Sequence, residues 1–112
     1  MIYTVNVSKK AQHDMKMIFE YIALTLMEPV IAEKQYTRIE MAISSLDKMP
    51  ERFRRYNVEP WRSRNLRIMP IDNYIAFYIV DNANNTVTII RILYGARDIE
   101  KEFDVMAQVD LR

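Results

Sequence analysis

Between Pro50 and Pro70 the chain carries six arginines, Arg52, Arg54, Arg55, Arg62, Arg64 and Arg67, against only Glu51 and Glu59. Guanidinium groups grip phosphate or carboxylate through paired N–H donors and stabilise charge that develops on phosphoryl oxygen. Arg91 and Arg97 lie on either side of Tyr94, the first inside the apolar run TVTIIRIL and the second just after it. A charge within such a run is costly unless it is paired or placed at a rim. Arg91 is therefore either an anion contact or half of an ion pair with Glu59, Asp72 or Asp98. Metal-free RNA cleavage is one chemistry that such arginines serve. A 2′-OH loses its proton and attacks the adjacent phosphate, the arginines hold the added charge, and a base and an acid move protons. Tyr78, Tyr94 and Glu59 are the candidates for proton transfer, because His13, the only histidine, sits on the first predicted helix. Binding of unpaired nucleic acid is a second chemistry. Trp61 stands beside Arg62, and interleaved rings and guanidiniums stack on bases. The bland counterparts are a tryptophan that plugs a loop into the core and an uneven, solvated charge pattern.

Composition bounds what else the chain can be. Its 112 residues suit one domain spanning 1–112, and half of them are hydrophobic, enough for a core of its own. Cysteine is absent, which excludes disulfides and cysteine-based metal or nucleophile sites. A lone histidine removes His-cluster metal sites and argues against a Ser-His-Asp triad, so neither metal nor cofactor is expected. No apolar run approaches the ~18 residues of a membrane span, and the N-terminus lacks a signal-peptide pattern. A cytoplasmic protein with no membrane partner is the expectation. Net charge is only +1, but five acids against Lys101 fill Asp98 to Asp110. This acidic tail is able to cover part of the basic stretch.

The elements that must position these residues follow from periodicity. Residues 2–7 alternate as a strand, and Ser8 sits where a helix N-cap belongs. Ala11, Met15, Ile18, Ile22 and Leu26 trace one buried helical stripe. Glu28-Pro29 ends that helix and starts another, whose stripe is Ala32, Tyr36, Ile39, Ile43 and Leu46 until Met49-Pro50 stops it. So short a connection makes an antiparallel helix hairpin. Residues 50–64, with two prolines and no period, read as a long loop. Strands are predicted at 65–69, 74–81 and 86–94. The last two are apolar on both faces, so they are central and covered by the hairpin on one side and by something else on the other. Asn84-Asn85 suits a tight turn, Gly95 marks a backbone requirement at the end of the last strand, and residues 98–108 can form a helical turn. The fold class is α+β, in the order β-α-α-β-β-β, with a helix hairpin on a mostly antiparallel sheet and a short C-terminal helix as an option.

This order, the segment Asn73 to Asp81, the string Ile90-Arg91-Ile92-Leu93-Tyr94-Gly95-Ala96-Arg97-Asp98 and the segment Ser45 to Phe53 resemble the RelE/ParE toxin superfamily over residues 3–103. The resemblance implies the toxin of a type II toxin–antitoxin module, of the kind linked to plasmid stabilisation and growth inhibition, with a cognate antitoxin as partner. A RelE-like branch implies a ribosome-dependent mRNA endonuclease (an mRNA interferase) with the ribosome and mRNA as partners. A ParE-like branch implies a non-catalytic inhibitor of DNA gyrase. For the nuclease, the resemblance matches Arg67, with Arg64 just before it, to the basic residues of the strand after the loop, and Arg97 to the arginine past the last strand. Two positions depart: Ile75 replaces an arginine after Tyr74, and Phe103 lacks the hydroxyl of the C-terminal aromatic residue. The partly intact arginine set favours the nuclease, with Arg67, Arg97, Tyr78 and Tyr94 as catalytic residues. Arg54, Arg55, Trp61, Arg62, Arg64 and Arg91 are then its nucleic-acid contacts. The gyrase inhibitor is the alternative, and an inactive member retained for antitoxin binding is a third reading. A homodimer through an exposed strand edge, or a toxin–antitoxin hetero-oligomer, is the expected assembly.

Overall fold

The structure, a computed structural model, describes residues 2–95. Strand β1 (Thr4–Val7) leads to helix α1 (Lys9–Glu20), a π-helical turn (Tyr21–Thr25), helix α2 (Pro29–Ser44), two 3-10 turns (Ser45–Asp47 and Pro50–Arg52), and strands β2 (Leu66–Ile71), β3 (Tyr74–Asp81) and β4 (Thr86–Tyr94). Ser8 caps α1 as predicted, accepting the Ala11 N–H, and Pro29 occupies the first turn of α2. The apolar stripe of the first helix holds up to Ile22 and fails at Leu26, which is about half exposed. The π-turn is the reason. It takes more residues per turn than an α-helix and rotates Leu26 off the buried face.

The sheet has the order β1-β4-β3-β2, with β1 parallel to β4 and the other pairs antiparallel. Alternation along β3 sends Ala76 and Tyr78 to one face and Ile75, Phe77 and Ile79 to the other. The first face packs with Ala11, Met15, Ile39, Ile43 and Leu46 of the helical layer. The second face is covered by Trp61 and Tyr56, so the "something else" above is the arginine loop itself. That loop is ordered by pairing. Tyr56 N–H donates to Leu66 O (2.8 Å) and Ile68 N–H to Arg54 O (3.1 Å), adding residues 54–56 as a short outer strand. Pro70 lies beyond this cover, on an edge where its missing N–H costs no ladder bond.

A bulge in β4 leaves Ile90 without a cross-strand partner between Phe77↔Arg91 and Tyr78↔Ile89. Beyond Val7, β1 no longer covers β4, and Asp14 of α1 takes over by accepting the Ile92 N–H at 3.0 Å. Gly95 donates its N–H to Asn73 O (2.8 Å), and a Cβ there would stand 3.3 Å from the same oxygen. Its need is close approach rather than a positive φ. No helix among the described residues is long and apolar enough to cross a membrane.

Candidate functional site

The six arginines between Pro50 and Pro70 divide by what already holds them. Arg52 donates to Lys48 O (2.6 Å), Met49 O (3.1 Å) and the Ser45 hydroxyl (2.9 Å), and it stacks on Phe53. It ties the Pro50–Arg52 turn back onto the segment that follows α2. Arg67 donates to Phe53 O (2.7 Å) and Glu51 O (3.2 Å) and pairs with the Glu51 carboxylate at 3.3 Å. Only 11% of its side chain is exposed, so its donors face the base of the loop. Arg64 lies over the Trp61 ring at 5.2 Å. Arg54, Arg55 and Arg62 are exposed and form no ion pair among the described residues.

The proton-transfer candidates separate in the same way. Tyr78 is completely buried, and its hydroxyl donates to Pro50 O at 2.6 Å. Burial pushes that hydroxyl up to about 12, with Arg67 and Arg52 offsetting part of the shift. It stands beside Arg67 in the β2–β3 register, but as an anchor for the loop. Tyr94 is 45% exposed and packs edge-to-face on Tyr74. It lines a different feature, an apolar groove of about 740 Å³ shared with Met17, Tyr21, Ile31 and Tyr74. Four residues of β3, about 13 Å, separate the Tyr74–Tyr94 row from the Tyr78–Arg67 row. Glu59 is turned into its own loop, accepting from the Ser63 backbone (2.8 Å) and hydroxyl (2.6 Å), which hold its carboxyl below the usual range.

Two nucleic-acid candidates also have structural employment. Trp61 is 2% exposed and fills the core of the second face, so its ring offers no stacking surface to a base. Arg91 makes a bidentate pair with Asp14 (2.7 and 3.0 Å), both side chains nearly buried. The expected partners Glu59 and Asp72 are replaced by this helix residue, because the open edge of β4 faces α1. Asp72 is taken by Arg38 (2.6 and 2.8 Å) and Gln35, and the Arg38 hydrogen bonds hold its carboxyl down. Arg97, Asp98 and Phe103 lie outside the described residues.

Sequence reading missed the network that fixes the loop base. The Tyr3 hydroxyl donates to the Asn82 side-chain oxygen, and the Asn82 amide reaches the Glu51 carboxylate, which meets Arg67. It also missed Asp14, whose signal was a lone acid flanking the Ala11–Met15 stripe, matching the lone base in β4. Among the described residues no cluster of three His, Asp or Glu side chains can hold a metal ion.

Solved structures share this fold. The toxin of a chromosomal ParDE system from P. aeruginosa superimposes with a TM-score of 0.68 at 19% identity, over 83% of this chain and 96% of that one. The RelBE complex of Mycobacterium tuberculosis gives 0.60 at 21% identity, over 84% and 99%. The archaeal RelE–RelB complex from Pyrococcus horikoshii gives 0.60 at 17%, over 87% and 99%. No curated protein sequence matches significantly. Residues 5–99 match the family described as the ParE toxin of the type II toxin–antitoxin system parDE. With nearly all of its length matched, the chain belongs to the ParE toxin family, within the RelE/ParE superfamily.

Proposed function

We propose that this toxin arrests growth by binding its target rather than by cutting RNA, and that the target is DNA gyrase. Acting there in the cytoplasm, it would be held inactive by a cognate antitoxin, as its structural relatives crystallised with theirs suggest. One observation carries the reading: the tyrosine nearest the basic strand is buried and already bonded, which favours binding over proton transfer. Tyr78 is buried, bonded to Pro50 O and too weak an acid near neutral pH, while Arg67 beside it is spent on loop carbonyls. Tyr94 is a row apart, and Glu59 is occupied by Ser63.

The test is brief induction of the chain alone in bacteria, with mRNA 5′ ends mapped, alongside gyrase supercoiling assays on purified protein. Blocked supercoiling with intact mRNA is expected. New codon-phased mRNA ends that disappear with Arg97→Ala would instead establish ribosome-dependent cleavage, the reading that the partly intact arginine set favours. Normal growth with neither effect would leave an antitoxin-binding domain without toxicity.

A further inference from the structure

We infer that Arg54, Arg55, Arg62 and Arg64 form a ledge that binds a phosphodiester backbone by charge alone, without base stacking. Residues 54–56 are an outer strand, so alternation sets Arg54 on the face of Tyr56 and Trp61 and Arg55 on the helical face. The turn that follows is closed by Arg62 N–H to Val58 O (3.0 Å), Asn65 N–H to Arg62 O (3.1 Å) and Leu66 N–H to Trp61 O (3.1 Å). Arg64, stacked on Trp61, is held over this turn. The ledge therefore straddles the sheet edge with its backbone already fixed, which lowers the ordering cost of binding.

Three observations define the ligand. The only acid in the stretch from Arg52 to Ile71 is Glu59, an anion held by Ser63 and within reach of the Arg62 charge, which leaves the four arginines in excess over one carboxylate. All four arginines are exposed, and four of the grooves among the described residues are lined by other side chains, so the surface suits an extended polyanion lying across it. The one tryptophan is buried beneath Arg64, which removes the usual stacking platform of single-strand binders. Arginine forks without aromatic platforms read phosphates and not bases. The inference stands on the loop geometry and not on the choice of toxin target.

Fluorescence anisotropy of the purified full chain tests it, with a short single-stranded RNA, a short DNA duplex and polyglutamate as probes. At least one nucleic acid should bind without sequence preference, and log affinity should fall with log salt at a slope of roughly −3, as contact with three or four phosphates requires. Arg54→Glu with Arg62→Glu should lower that affinity at least about tenfold. Lys10→Glu with Lys34→Glu, the same change in charge on the helices, should cost about twofold or less. If the ledge variant melts early, Arg54→Gln with Arg62→Gln replaces it. Preference for RNA or for duplex identifies the source of the backbone. Tighter binding to polyglutamate, a flat salt dependence, or equal losses in the two double variants would overturn the ledge. Supercoiling inhibition measured on the same variants separates the two proposals: a ledge that fails while inhibition persists leaves the toxin reading intact.

Discussion

Arg67 is the residue whose role the fold most changes, and replacing it decides between anchor and contact. Its strongest interaction is the 2.7 Å charge-assisted bond to Phe53 O, from a side chain only 11% exposed. Losing such a bond and stranding its acceptor costs about 1.5–3 kcal/mol. The longer bond to Glu51 O adds to this, while the ion pair to the half-exposed Glu51 carboxylate adds less than about 1 kcal/mol. Arg67→Met should therefore destabilise the fold by about 2–4 kcal/mol, lowering Tm by roughly 10–20 °C. Arg67→Lys keeps the charge but reaches one carbonyl rather than two, and about half of the loss should remain. Urea unfolding followed by Trp61 fluorescence measures this directly, since the only tryptophan is buried in the core face built by the same loop. Hydrogen exchange at the Tyr56 amide, which bonds to Leu66 O, should quicken in parallel. Supercoiling inhibition at a temperature where the variant is folded should stay near wild type. If Arg67→Met unfolds within about 0.5 kcal/mol of wild type while inhibition is abolished, Arg67 touches the target and the anchor assignment is wrong.

Four further outcomes follow from single features. Tyr78→Phe strands Pro50 O and should cost about 1–2 kcal/mol. Because burial raises the folded hydroxyl to about 12, above the ordinary tyrosine value, wild type should lose stability as pH climbs from about 10 to 12. The phenylalanine variant should lack that alkaline loss in urea titrations on either side of the window. Asp14→Ala deprives nearly buried Arg91 of its carboxylate and Ile92 N–H of its acceptor, and should cost about 3–5 kcal/mol, with Asp14→Asn milder in the same assay. Arg38 holds the Asp72 carboxyl below its usual range, so this contact stabilises above the carboxylate range and is lost as pH falls through it. Arg38→Met should flatten the acid limb of the stability profile. Met27 is exposed at φ 57°, a conformation that glycine adopts without strain, so Met27→Gly should raise stability by about 0.5–1 kcal/mol in thermal melts.

The order of elements was legible because each is written locally. Ser8 and Pro29 mark helix starts, the stripes of Ala11 to Ile22 and Ala32 to Leu46 mark buried faces, and two-sided apolar runs mark central strands. Local signals also set the failures. The π-turn at Tyr21–Thr25 has no period of its own, so the predicted stripe runs one member too far, to Leu26. The parallel pairing of β1 with β4 joins the two ends of the described chain, and no short-range pattern encodes it.

The candidate site was legible as chemistry and not as geometry. Composition reveals six arginines, but whether each faces a target or a carbonyl depends on strand parity and on partners far away in sequence. Arg67 and Arg55 are register partners, yet only Arg67 meets the 3-10 turn that presents Glu51 O and Phe53 O. Arg91 finds Asp14 across 77 positions because a bulge and the early end of β1 open that edge. Trp61 shows the same logic from the apolar side. Its neighbours in sequence are charged, yet the face it fills exists only once β2, β3 and β4 are side by side. A loop that must both close a core and meet a target needs arginines of both kinds. Arg52 and Arg67 fix the backbone, and this leaves Arg54, Arg55, Arg62 and Arg64 as the members whose replacement can alter recognition without unfolding the chain.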